Sequence, residues 1–213
     1  MKFRRKSAAA DPEAEAIEAE EAPEEVAAAV GPFDFEDVAD DGVQRVDLGS
    51  MLIAPEPDRE LRIQVDENTQ AIQSVVLTGP DGALELRAFA APRNGDLWTE
   101  VRPQLAADLA QRGGTATERE GRFGTELVCQ LAVKAQDGRS ASQDSRIVGI
   151  NGSRWMLRGT FMGRPATDPD NASAWDDTLT KIVVRRGDHA MPVGDPLPVV
   201  LPQTARRVAP PGT

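Results

Sequence analysis

Arg146-Ile147-Val148-Gly149-Ile150-Asn151-Gly152-Ser153-Arg154-Trp155-Met156-Leu157-Arg158-Gly159-Thr160-Phe161-Met162 decides the fold class of this chain. Asn-Gly between two apolar alternations is the strongest short-range sign of a β-hairpin, because both residues accept the positive φ of a two-residue turn. A turn at Asn151-Gly152 sets Ile150 against Ser153, Val148 against Trp155 and Ile147 against Met156. Side chains alternate along a strand, so Trp155, Leu157 and Phe161 share the core face with Val148 and Ile150. Arg154, Met156 and Arg158 project from the other face, beside Ile147.

Upstream, the same period of two recurs. Leu61, Ile63 and Val65 alternate with Arg62 and Gln64, and a β-branched run covers residues 71–78. Leu84, Leu86 and Ala88 then alternate with Glu85, Arg87 and Phe89. Gly79-Pro80-Asp81-Gly82 joins the last two as an antiparallel hairpin, since Pro presets one turn dihedral and Gly tolerates another. Shorter strand-like segments cover 43–48 and 51–53. Downstream of the first helix, strands over 115–120 and 125–135 are joined by Gly121-Arg122-Phe123-Gly124, and Leu127, Cys129, Leu131 and Val133 fall on one face. Cys129 on that face reads as a small buried hydrophobe. A polar loop is expected over 137–145.

Two segments change period to about 3.6. Trp98, Val101, Leu105 and Leu109 form one helical stripe, with Asp96 as N-cap and Gly113-Gly114 as stop; Pro103 inside it predicts a kink or a late start. Residues 163–170 read as a polar connection. Trp175, Leu179, Ile182 and Val183 form a second stripe, capped by Ser173 and ended by Gly187, with Asp176 and Asp177 in a first turn where negative charge suits the helix dipole. The class is therefore α+β: a mostly antiparallel, curved sheet whose apolar face needs two amphipathic helices to cover it. The element order is analogous to a Mog1/PsbP-like sandwich.

The ends have a different composition. Residues 1–6 hold four basic side chains, and residues 7–30 hold eight acids and no base. Such a segment offers little to bury, which predicts a disordered charged arm over 1–30, a single domain over 31–202 ending in a Pro-rich strap, and a flexible tail over 203–213. Met1 to Lys6 resembles a signal-peptide n-region but no apolar stretch follows, and nothing is long enough to span a bilayer. Together with a single cysteine, this points to the cytoplasm.

Composition also restricts the chemistry. One cysteine and one histidine, His189, do not supply a thiolate cluster, a redox CxxC pair or a multi-histidine metal centre, so no cofactor or metal is expected. His189 follows a helix end without a nucleophile elbow and reads as a surface group. The acids between Asp34 and Asp41 lack EF-hand spacing, and the Gly pairs match no phosphate loop. A net charge of -11 and the absence of tyrosine disfavour nucleic-acid binding.

The patch that stands out is Arg154, Met156 and Arg158 with Ile147, since guanidiniums beside apolar surface suit a partner interface. The competing reading is that another layer covers Ile147 and Met156 while the arginine stems reach solvent. The leading expectation is a non-catalytic protein-interaction or regulatory domain with an unidentified protein partner. The alternatives are a small-ligand binder or carboxylate-based hydrolase with a pocket between sheet and helices, and a nucleic-acid-associated protein.

Five segments carry a resemblance: Asp41-Gly42-Val43-Gln44-Arg45-Val46-Asp47-Leu48-Gly49, Ala88-Phe89-Ala90-Ala91-Pro92-Arg93, Phe123-Gly124-Thr125-Glu126-Leu127, Arg154-Trp155-Met156-Leu157-Arg158 and Arg186-Gly187-Asp188-His189-Ala190-Met191-Pro192. In this order they resemble an uncharacterised actinobacterial family, domain of unknown function thirty-seven-ten, over about residues 31 to 202. The resemblance implies a bacterial cytosolic setting and assigns no activity, cofactor or catalytic residue.

Overall fold

Strand-forming alternation in this chain is repeated often enough to build one large sheet, and the apolar residues of both its faces require a layer on each side. The computed structural model describes residues 31–38, 41–66, 72–134 and 140–202. The arm at 1–30 and the tail at 203–213 lie outside the described residues. Seven strands, β4 (Glu60–Val65), β5 (Ile72–Thr78), β6 (Gly82–Ala90), β7 (Thr115–Gly121), β8 (Gly124–Lys134), β9 (Ser140–Asn151) and β10 (Trp155–Gly163), form an antiparallel sheet in the order β4-β5-β6-β10-β9-β8-β7. A smaller sheet combines β1 (Phe33–Asp34), β11 (Val183–Val184), β3 (Met51–Ile53) and β2 (Val46–Asp47); its β1–β11 pair is parallel. The helices are α1 (Leu97–Gln111), α2 (Arg164–Thr167) and α3 (Ser173–Thr180). The α+β class is as the sequence pattern requires.

One face of the large sheet packs Val75, Leu77, Leu84, Leu86, Val148, Leu157 and Phe161 against α3 and the small sheet, through Trp175, Leu179, Ile182, Met51 and Val184. The opposite face packs Leu127, Cys129 and Met156 under Leu97 and Trp98 of α1. The strap crosses the sheet edge: Leu197 N–H donates to Ala88 O, and Val200 N–H donates to Leu48 O.

Several expectations change. The hairpin turns at Ser153-Arg154, not Asn151-Gly152, so that Asn151 opposes Met156, Ile150 opposes Leu157 and Ile147 opposes Thr160. Asn151 is occupied elsewhere: its side chain donates to Asp96 Oδ1 at 2.8 Å and accepts the Trp98 N–H at 3.3 Å, at the start of α1. Gly152 lies under the Trp155 ring, where a Cβ would fall 2.0 Å from the indole. The displacement is two residues on each arm. An even slip keeps each side chain on its face, so the core face survives the changed register.

The second stripe splits. α3 ends at Thr180, and the branched Val183-Val184 pair is extended as β11. Ser173 opens α3 from inside, and Ala172 occupies the N-cap without a side-chain bond. Residues 140–145, read as loop, continue β9 because β8 pairs with them, and α2 forms within the connection read as irregular. Only Val46–Asp47 of the segment 43–48 is strand. Pro103 lies inside α1, which runs uninterrupted from its Asp96 cap. Its missing N–H leaves only the Thr99 carbonyl without the usual donor.

Candidate functional site

The α1 helix covers β7, β8 and β9, and its first turn reaches Met156 of β10 and Phe89 of β6. It is fixed by Trp98, whose indole donates to Thr125 O and whose ring rests on Gly149, where a Cβ would meet it at 2.2 Å. Arg102 binds Glu118 of β7 on the far side of the helix. The part of β6 and β10 beyond that contact carries Glu85, Arg87, Arg158 and Thr160, all half-buried.

At its centre Arg158 of β10 stands directly opposite Arg87 of β6. The flanking pairs are Met156 with Phe89 and Thr160 with Glu85. Like charges in register across two strands are destabilising unless something compensates them. Among the described residues neither arginine has a hydrogen bond or ion pair, and the Nε of each is buried without a partner. Arg158 lies over the Phe89 ring at 5.3 Å from its centroid. Burial, and after it the Arg87 charge, hold the Arg158 guanidinium below its ordinary value, with Glu85 offsetting part of this. Arg154 and Arg93 lie at the same strand ends, where Ala91 N–H donates to Arg154 O and Asn94 N–H to Ser153 O, and their side chains also have no carboxylate partner among the described residues. Planar guanidiniums suit bidentate capture of carboxylate or phosphate.

The patch inferred from the hairpin is thus redrawn. Met156 is 1% exposed and Ile147 packs half-buried in the same cluster under α1. Neither offers an apolar contact to a partner, and the two are not cross-strand neighbours. Their layer is filled by the helix. Arg154 and Arg158 remain partly accessible, and β6 contributes Arg87 and Phe89, which sequence reasoning missed. The alternation around Arg87 showed only that it faces away from the core. The β6–β10 register that sets it against Arg158 joins strands far apart in the chain.

The other face holds the opposite case. Arg146 is 1% exposed and donates through Nη2 to Asp176 Oδ1, with Nη1 3.6 Å from Glu126 Oε2. Arg119 Nε donates to Glu126 Oε1 at 3.0 Å and its Nη1 to Asp170 at 3.1 Å. The Phe161 ring lies 4.1 Å from Arg146 Cζ. Asp176 therefore does more than face a helix dipole: it neutralises a buried cation. Glu126 and Asp176 are spent on that arginine, and a carboxylate used for acid/base work needs access to a substrate proton instead.

Cys129 is buried, and burial raises its thiol above the ordinary range, a hydrogen bond with Ser145 notwithstanding. His189 is exposed, and its carbonyl accepts from Arg186. Two open depressions of about 290 and 280 Å³ are lined by Phe35, Asp41, Arg45 and Asp47 and by Ser142, Asp144, Met162 and Thr167, away from the arginine pair. Asp41 is bound by Arg45, and Asp47 by Arg185. Among the described residues no group of three or more His, Cys, Asp and Glu side chains is placed to hold a metal ion, and no helix is long and apolar enough to cross a membrane.

Fold and site together define a three-layer α+β domain with an opposed, half-buried arginine pair on the sheet face that carries its long helix. The chain belongs to the family described as Protein of unknown function (DUF3710), whose model matches residues 31–208. No curated protein and no solved structure matches it, so the likeness to the Mog1/PsbP sandwich stays one of element order.

Proposed function

We propose that this chain is a non-catalytic interaction domain of the bacterial cytoplasm whose β6/β10 face grips an acidic segment of a partner protein. The observation that carries the reading is the direct opposition of Arg87 and Arg158, neither of which has an ion pair among the described residues, with Glu85 the acid beside them. Arg45, Arg119, Arg146 and Arg185 are each paired with an acid, whereas half-buried Arg59 and Arg186 donate to backbone carbonyls. The opposed like charges cost stability, which the Phe89 ring and Glu85 offset in part and an acidic partner would offset further. A protein carboxylate fits this better than a phosphate backbone, because the net charge of -11 repels a polyanion over the rest of the surface.

The test is co-purification from the native host with wild type and with Arg87→Glu/Arg158→Glu, each checked for an unchanged circular dichroism spectrum. The reading expects the double variant to lose a set of partners whose contact regions, located by cross-linking, are acidic. Identical partner sets, or loss of nucleic acid alone, overturn it.

A further inference from the structure

We infer that the chain's own acidic arm, Asp11 to Glu25, docks on the Arg87/Arg158 face and competes there with the partner. This rests on the proposed function and names the regulation of the same site. Three observations support it. Charge complementarity is the first: residues 7–30 carry eight acids and no base, whereas Arg87, Arg93, Arg154 and Arg158 have no acidic partner among the described residues. Glu85 is the acid beside the pair, and it leaves the four guanidiniums in excess.

Position is the second. The described chain begins at Gly31, packed against the Thr180 carbonyl, and runs through β1 to Asp34, whose Oδ1 accepts the Trp155 indole N–H at the start of β10. Extended chain from Gly31 back to Asp11 reaches about 65 Å, and the run from Trp155 to Arg158 along β10 is about 10 Å. The arm is long enough to pass round that strand end and lie across the arginines with several carboxylates in reach.

The third is composition. Ile17, Val26 and Val30 are the only side chains larger than proline in residues 7–30 that are not charged, so the arm has little apolar surface with which to bind elsewhere. Its binding is electrostatic, weak enough to be displaced and strongly dependent on salt.

The experiment uses the full chain. A nitroxide is placed on Ala19→Cys; native Cys129, 3% exposed, does not compete for the label. Paramagnetic broadening of backbone amides is then mapped. The expected result is loss of most of the signal at residues 85–89 and 156–160. It returns when ionic strength rises from about 0.1 M to about 1 M, which shortens the screening length from roughly 10 Å to roughly 3 Å. Removing five of the arm's eight negative charges with Glu18→Gln, Glu20→Gln, Glu21→Gln, Glu24→Gln and Glu25→Gln, which leaves the body untouched, also restores the signal.

Broadening elsewhere on the body, or none, overturns the inference. So does broadening in a mixture of spin-labelled chain with separately isotope-labelled, unmodified chain, because the occupant is then a second copy. Absent broadening together with partner loss in Arg87→Glu/Arg158→Glu removes the arm and leaves the interaction reading standing. Broadening as expected with identical partner sets removes the interaction reading and leaves the docking.

Discussion

Arg146 and Arg158 sit on adjacent strands of one sheet and point to opposite faces, and their surroundings differ. Arg146 is closed in by Asp176, Glu126 and the Phe161 ring, and has almost no exposure. Arg158 has an aromatic ring beneath it too, but its nearest charged neighbour across the strand is another arginine. The first arrangement is what a fold needs to bury a cation. A buried guanidinium is tolerated when its charge and donors are met, and its removal leaves the carboxylates uncompensated. The second is not explained by folding. The difference teaches that the same residue type on the same sheet is neutralised by carboxylates on one face and faces a like charge on the other.

Breaking the architectural half has the largest expected effect. Arg146→Leu strands Glu126 and Asp176 in the interior and is expected to cost about 3–5 kcal/mol of unfolding free energy, read from urea denaturation. Adding Asp176→Asn and Glu126→Gln returns part of that loss, since the uncompensated charges are then gone. Full additivity of the three changes contradicts the network.

The covered part of the arginine-bearing face is tested next. Gly149→Ala puts a methyl 2.2 Å from the Trp98 ring and displaces α1 from the sheet. About 1–3 kcal/mol is the expected loss, with a change in near-ultraviolet circular dichroism from Trp98. A smaller effect is expected from Asp96→Ala. Asp96 Oδ1 accepts the Thr99 N–H and the Asn151 side chain, and its removal costs about 1 kcal/mol. The hydrogen bonds from Thr99 and Asn151 hold the Asp96 carboxyl below its ordinary range. Its contribution is therefore present above the unfolded carboxylate value and is lost as pH falls through the lower folded value. Below about pH 4 the wild type and Asp96→Ala should converge in stability. A constant gap down to acid unfolding would contradict that sign.

The same contrast explains how much was legible beforehand. Period-two and period-3.6 patterns located β4 to β6, β8, the later part of β9, β10 and α1, and alternation alone assigned Leu157 and Phe161 to the core. The turn was misplaced because Asn151 and Gly152 satisfy two demands at once. Their local preference for a tight turn gave way to capping α1 and to admitting the Trp155 ring, and both partners are invisible to a local reading. The end of α3 was misread because Ile182 and Val183 suit a buried stripe as well as a strand, and pairing of Val183 and Val184 with Leu52 and Met51 decides between them. Arg154 and Arg158 were legible as a pair of exposed-side arginines. Arg87 and the Arg146 network were not, since each depends on cross-strand or sheet-to-helix placement of residues distant in sequence.

The most direct test of the division between the two arginines is the unfolding free energy of Arg158→Leu beside that of wild type. The account predicts a change within about 0.5 kcal/mol, or a gain, because a desolvated charge facing Arg87 is replaced by an apolar side chain on Phe89. A loss above about 2 kcal/mol, approaching that of Arg146→Leu, would make Arg158 a structural cation and contradict its availability to a partner.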